Sequence, residues 1–482
     1  ALTLNAAGGL LVNAAVTRSG TGSVKLQSGA PGISINAAVT LDSSATLELN
    51  SVGLVTQTAK LIAGSLLIQG AGAVTLTDQG NAVATLAASA GAGALRYVNS
   101  SALAVGTITP VGGASPADDV AGIARTGDVA LRTVNGNLSL SKGIDVSGAA
   151  SKRIELELTG AGTAATQQAG ANLLGDQLLL RGAGAYTLLN ATNNVATLAA
   201  STGAGALRYV DENALAVGTI TPVGGASPAD DVAGIARTGD VALRTVNGNL
   251  SLSKGIDVSG AASKRIELEL TGAGTAATQQ AGANLLGDQL LLRGAGAYTL
   301  LNATNNVATL AASTGAGALR YVDENALAVG AITPVGGASP ADDVAGITRT
   351  GGVGLKTLGG ALTVNQSIMV GSAGDNNTSS NIVLVAGNPQ DQTLTINAPL
   401  KTNASVGLQA GTIEFNGTGA ITNIESDSTP GAVRSLLIRA TTVNLDADNN
   451  GNASVLTSRV GVVGDNLGAV AQRLSTTVAA DV

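Results

Sequence analysis

Residues 127–238 recur at 239–350 with only two differences, Thr219 against Ala331 and Ala236 against Thr348. A chain that contains the same block twice must fold by a rule that tolerates repetition. The 112-residue period extends beyond these two copies. The segment Val83–Ser89 returns at 195–201 and again at 307–313. An earlier, divergent copy ends near Thr126 and follows the same spacing from about Ser65, and a further divergent stretch begins at Gly351. The chain therefore divides into repeats 1–126, 127–238, 239–350 and 351–482.

The interior of a repeat indicates what is being repeated. Arg153–Leu158 alternates strictly, with Ile154, Leu156 and Leu158 on one face and Arg153, Glu155 and Glu157 on the other. Val129 and Leu131, Leu138 and Leu140, and Ile144 and Val146 keep the same period of two. Corners such as Asn135-Gly136-Asn137 and Ser147-Gly148 separate them. Helical periodicity is not sustained, so crossover helices between parallel strands are not expected. The expected class is all-β, a right-handed parallel β-helix (β-solenoid) built from 112-residue internal repeats. With coils of roughly 22–30 residues, a repeat would hold four or five. At ~4.8 Å per coil, the four repeats would stack into one continuous rod of roughly 80–100 Å.

Composition agrees with a thin, layered core. The only aromatics are Tyr97, Tyr186, Tyr209, Tyr298, Tyr321 and Phe415, and the core must be filled with Val, Leu, Ile and Ala. A hydrophobic fraction of 45% with 12% charged residues argues against disorder. The net charge of −7 shows no basic patch, which argues against a nucleic-acid partner. Without cysteine or histidine there is no disulfide, no thiolate metal site and no Ser-His-Asp set. No apolar run reaches the ~18 residues of a spanning helix, so membrane insertion is not expected. Ala1–Leu11 lacks the basic start of a signal peptide, so the chain is expected to be a processed or internal piece of something longer.

Several segments resemble filamentous-haemagglutinin-type exoproteins. They are Gly127–Thr133, Gly136–Leu140 and Gly143–Val146, then Asn194–Ala200, Ala214–Gly218 and the tail Gly461–Leu467. The resemblance implies a two-partner-secreted protein of a Gram-negative bacterium. It would be exported through an outer-membrane transporter partner and fold outside the cell as a right-handed β-helix. It would act as an adhesin, a biofilm component or a toxin-carrying stalk. The amino-terminal secretion domain of that family is not recognisable here, so the chain would be part of the repetitive shaft.

Candidate sites have bland readings beside the chemical ones. Glu155 and Glu157, repeated as Glu267 and Glu269, place two carboxylates on one strand face, as acid-base work on a sugar would need. With Lys152 and Arg153 beside them, a solvated strand face is the expected reading. Asp118-Asp119, Asp230-Asp231 and Asp342-Asp343 follow a Ser-Pro-Ala run and would bind calcium or keep a protruding loop soluble. Asp446–Gly451 begins like a calcium loop, but Thr457 stands where the bidentate Glu belongs. Tyr97, Tyr209 and Tyr321, each in Leu-Arg-Tyr-Val, would contact carbohydrate if exposed. One partly buried Tyr per repeat is the simpler expectation. Thr-Ile-Thr at 107–109 and 219–221 appears once per repeat, too sparsely for an ice-binding array. Gly70–Gly72 and Gly182–Gly184 lack the Lys-Ser/Thr of a phosphate loop. No catalytic, cofactor-binding or metal-ligating residue is assigned, and no cofactor is expected.

The functional expectation is a structural shaft giving length, stiffness and surface presentation, with a host or neighbouring-cell surface or the extracellular matrix as partner. A self-assembling fibre, stacked end to end through unpaired strand edges, is the alternative. A polysaccharide-cleaving β-helix enzyme would need acids and bases gathered at one place. A transmembrane barrel would need aromatic girdles.

Overall fold

The computed structural model describes residues 1–463 apart from Ala90, Thr202, Pro340 and the stretches 373–379, 388–391, 423–435, 445–453 and 456–459. All regular structure among the described residues is strand. Contacts divide the chain into two units, residues 1–239 and 240–482.

In the first unit one coil is complete between 129 and 158. Val129–Thr133 leads through a corner to Leu138–Leu140, then to Ile144–Asp145, and then to Arg153–Leu158. That last strand lies parallel on the first, with Val129 opposite Ile154 and Leu131 opposite Leu156. Leu138–Leu140 pairs in the same sense with Ala164–Gln167, and Ile144–Asp145 with the start of Leu173–Arg181. Parallel strands joined without helices close into coils, so each strand pairs with the coil before and the coil after, as in a β-solenoid. The second unit repeats the pattern, with Val241 opposite Ile266 and Ile266 opposite Leu290.

Alternation and register together make the core. Inward residues pile on one another from coil to coil: Leu95, Val129, Ile154, Leu178 and Leu198 form one column, all fully buried. A buried Leu or Ile contributes about 1.5–3 kcal/mol, so a narrow interior of aliphatic columns suffices without large aromatics. Corners are tight. At Gly182 φ is +85°, and a Cβ there would lie 2.2 Å from the Leu158 carbonyl oxygen, so only glycine fits.

Coil length departs from expectation in both directions. The coil from Val24 to Leu47 falls inside the expected range, that from Leu47 to Leu66 is shorter, and that from Leu95 to Val129 is longer. The long coil carries an outgrowth. The repeat is also not a whole number of coils. Four coils carry the chain from Leu95 to Leu198, but Leu207, the counterpart of Leu95, falls on the neighbouring column above Leu138, Ala165 and Tyr186. One repeat is thus four coils plus one face.

The extra face arises at a junction. Strand Ala82–Ser89 carries two strands of the next coil, with Leu86 opposite Val105 and Ala88 opposite Ile123. Its first residues meet a side chain instead: Asn99 Oδ1 accepts the Val83 amide at 2.9 Å, and Nδ2 donates to the Val83 carbonyl at 3.0 Å. The junction recurs at Asn194–Ala200, where Leu198 is opposite Val217, Ala200 is opposite Ile235, and Asp211 receives the Val195 amide. In the second unit Thr309–Thr314 carries Leu327–Val329 and Ile347–Arg349, while Asp323 receives the Val307 amide. One ladder ends under a polar side chain as another divides in two.

Candidate functional site

Each junction throws out a β-hairpin. In the second repeat Thr219–Ile220 pairs antiparallel with Val232–Ala233, and the tip between them is largely exposed. The hairpin folds back on the outside of the coils. Ile220, with Val232 beside it, packs on Leu179 and Ala199, two outward-facing apolar residues of adjacent strands. Ile108 sits in the same way on Leu67 and Ala87, and Ile332 on Leu291 and Ala311. This explains the runs Leu178–Leu180 and Leu290–Leu292, which break strict alternation. The middle residue faces outward because a hairpin covers it.

The paired glutamates divide their work. Glu155 points outward, as alternation requires, but it is only 5% exposed. Its Oε2 accepts the Val223 amide of the hairpin at 2.7 Å, and its Oε1 lies 2.9 Å from Arg181 Nη1. The solvated-face reading therefore fails for Glu155, since the hairpin covers it and both its oxygens are engaged. Glu267 does the same with Val335 and Arg293. Glu48 repeats the clamp, holding the Val111 amide at 2.7 Å beside Lys25 Nζ at 2.8 Å. Glu157 and Glu269 remain partly exposed, each between two arginines at 3.9–4.0 Å. Arg153 adds a second tie, with Nη2 on Asp128 and Nη1 on the Thr221 carbonyl, both at 2.8 Å.

The Asp-Asp pairs hold the hairpin together rather than only keeping it soluble. Asp230 Oδ2 accepts the Ala226 amide at 2.8 Å, and Asp231 accepts the hydroxyls of Thr221 and Ser227 at 2.6 and 2.9 Å. Asp118, Asp119, Asp342 and Asp343 make equivalent bonds. Thr221 thus spends its hydroxyl inside the hairpin, while Ile220 between the threonines is buried. Among the described residues no group of three or more acidic side chains gathers that could hold a metal ion. The Asp446–Gly451 loop with Thr457, and Gly464–Leu467 of the tail, lie outside the described residues.

The tyrosines stand differently from expectation. Tyr97, Tyr209 and Tyr321 are each 1% exposed, not partly buried, and Tyr186 and Tyr298 are fully buried as well. Tyr209 donates to Asp211 at 2.7 Å, and Tyr321 to Asp323 at 2.8 Å. Burial pushes both phenols well above their usual range. It also raises Asp211 and Asp323, against the lowering effect of the amides that each accepts. Tyr186 donates to the Leu156 carbonyl at 2.9 Å. Arg237, on the column edge, places its guanidinium 5.5 Å from the Tyr186 ring centre and donates to the carbonyls of Gly184, Gly205 and Ser201.

Sequence reading also passed over Asn81, Asn193 and Asn305, which tie coils together. Asn193 Oδ1 accepts the Leu173 amide at 2.9 Å from the coil before, and Nδ2 donates to the Val210 carbonyl at 3.1 Å in the coil after. Gln167 Nε2 reaches the same Oδ1 at 2.6 Å. The signal was an Asn at a corner that recurs once in each repeat, with an apolar residue close behind it. Known proteins offer no external guide to these elements: the chain matches no protein-family model, no curated protein and no solved structure.

Proposed function

We propose that this chain is a length of extracellular shaft, a stiff spacer on the surface of a Gram-negative bacterium that presents whatever it bears at a distance from the cell. Adhesion to a host or neighbouring-cell surface or to extracellular matrix, and export through an outer-membrane transporter, belong to the same reading. So does a right-handed winding of the coils, the sense that parallel crossovers take.

The observation that supports it is the placement of the polar chemistry. At each junction an Asn or Asp accepts the amide that ends a ladder and a Glu accepts an amide of the hairpin, so these buried polar groups hold the fold's own backbone. Copying such a block multiplies length and holding contacts together, which is what a spacer gains from duplication. Negative-stain electron microscopy of the purified chain over a concentration series tests this. Single rods of roughly 80–100 Å, by the strand spacing, are expected at every concentration. Fibres of uniform width would replace the shaft with self-assembly, and compact particles would overturn the reading.

A further inference from the structure

Two clefts occupy corresponding positions in the two units and differ in charge. In the first unit Leu95, Val129 and Ile154 are opposite one another, and in the second Leu319, Val353 and Ile382 are. The outward neighbours of these residues are therefore counterparts. Arg96, Ala130 and Glu155 correspond to Arg320, Gly354 and Val383. One step along the strands, Val98, Arg132 and Glu157 correspond to Val322, Lys356 and Val385. These residues line a cleft of about 290 Å³ in the first unit and about 440 Å³ in the second.

In the first cleft two of the three cations are answered, and only Arg96 makes no ion pair among the described residues. Arg181 meets Glu155 at 2.9 Å, Arg132 approaches Glu157 at 3.9 Å, and Val223 of the hairpin closes one side. In the second, valines replace both carboxylates. Arg320 and Lys356 are exposed and make no ion pair among the described residues. Val383 is 45% exposed and Leu301, at the other wall, 40%. Gly354 leaves a notch between them: a Cβ there would have no neighbour closer than 4.0 Å.

We propose that this second cleft binds a single-chain anionic amphiphile, of the class of medium-chain fatty carboxylates. The alkyl chain lies over Val322, Val383 and Val385 against Leu301, and the head group sits by Arg320 and Lys356. Two cations without an acid select an anion. Valine walls select an apolar body over a sugar or a free phosphate. The volume falls within the ~300–1,000 Å³ of small-molecule sites. A peptide adding as a strand is disfavoured, because Leu319–Asp323 and Val353–Thr357 already pair on both sides. The proposal does not depend on the shaft reading.

Isothermal titration calorimetry of the full chain with decanoate, below its micelle concentration, tests it against decyltrimethylammonium. Decanoate is expected to bind, and the cation about tenfold or more weaker. V383E/V385E, which installs the residues that the first unit carries, and G354L, which fills the notch, are each expected to abolish binding. R320Q/K356Q is expected to weaken it about tenfold or more. Far-UV circular dichroism confirms that each variant is folded, and the surface pair R320Q/K356Q keeps the test open if a wall variant is not. Absence of decanoate binding, equal binding of the cation, or binding that survives V383E/V385E would each overturn the proposal.

Discussion

Asp211 and Asp323 are predicted to weaken the chain at neutral pH, and replacing both with Asn should strengthen it. The first junction supplies the comparison. There Asn99 accepts the Val83 amide and the Tyr97 hydroxyl through Oδ1, while Nδ2 donates to the carbonyls of Val83, Ser101 and Ala102 at 3.0–3.1 Å. Asp211 keeps the two acceptor bonds and gains the Asn213 amide at 2.9 Å, but as a carboxylate it donates to nothing. Its side chain is wholly buried, and burial raises its pKa above 3.8. D211N/D323N exchanges one accepted bond for donors to the ladder-end carbonyls and removes a buried charge. At roughly 1 kcal/mol per net hydrogen bond, the gain is about 1–2 kcal/mol at each site. A folded pKa above the unfolded one means that the wild-type side chain is at its best below about 3.8 and loses stability as pH rises through the native value. The advantage of Asn is therefore full at pH 7, shrinks as pH falls through the native pKa, and is smallest below 3.8. Hydrogen exchange read by mass spectrometry on peptides spanning Val195 and Asn213 suits the measurement, because substituting both copies keeps the near-identical peptides equivalent. Protection should rise roughly 5–30-fold at pH 7 and much less at pH 3.5, after correction for intrinsic rates. Lower protection at pH 7, or an equal gain at both pH values, would refute the argument.

The hairpin clamp and the corner asparagines give two further expectations. E155A/E267A removes the acceptor of the Val223 and Val335 amides, which costs about 1–3 kcal/mol locally. Exchange of those amides should quicken roughly 5–150-fold, at roughly 1.4 kcal/mol per decade, while Val129–Thr133 stays protected; unchanged hairpin exchange would show that Ile220 and Ile332 hold it unaided. N193L strands the Leu173 amide and the carbonyls of Leu188 and Val210 inside the coils. It should lower the urea midpoint followed by circular dichroism, with a local loss of about 2–4 kcal/mol for the unpaired groups; an unchanged midpoint would mean that water or backbone replaces the amide.

How much of this was legible in the sequence depended on how local the signal was. Alternation in Arg153–Leu158 fixes which side chains face inward, and period-two patterning with Gly and Asn corners points to short parallel strands. Both need only neighbouring residues. The hairpin contact is different in kind. Glu155 and Val223 are 68 residues apart, and nothing in Arg-Ile-Glu-Leu-Glu-Leu distinguishes a glutamate under a hairpin from one in water. The trace that was present lay in Leu178–Leu180, where an outward leucine needs a cover. The tyrosines misled for a related reason. Leu-Arg-Tyr-Val alternates cleanly, and its inward Tyr209 is tolerable only because Asp211, two residues on, accepts its hydroxyl. The fractional coil was hidden because it follows from where ladders end, and pairing between successive coils decides that.

The first copy indicates how much of the repeat the fold requires. Val74 stands where the second copy has Tyr186, and Asn99 stands for Asp211, yet both copies keep the same ladder partners: Val74 is opposite Leu95, and Tyr186 is opposite Leu207. Interior residues can therefore change while the register holds. The two differences between the later copies represent far closer agreement than packing demands, so their likeness records copying of a block rather than a constraint of the core. A block of four coils plus one face can be copied only if each copy ends one ladder and divides another. The polar residue at 99, 211 and 323 satisfies the amide of the ended ladder, and the hairpin spans the gap where one strand becomes two. The clamp on Glu48, Glu155 or Glu267 then covers the apolar outer surface that the division leaves. The junction makes the odd length of the repeat workable, and the hairpin is the part of it that faces solvent.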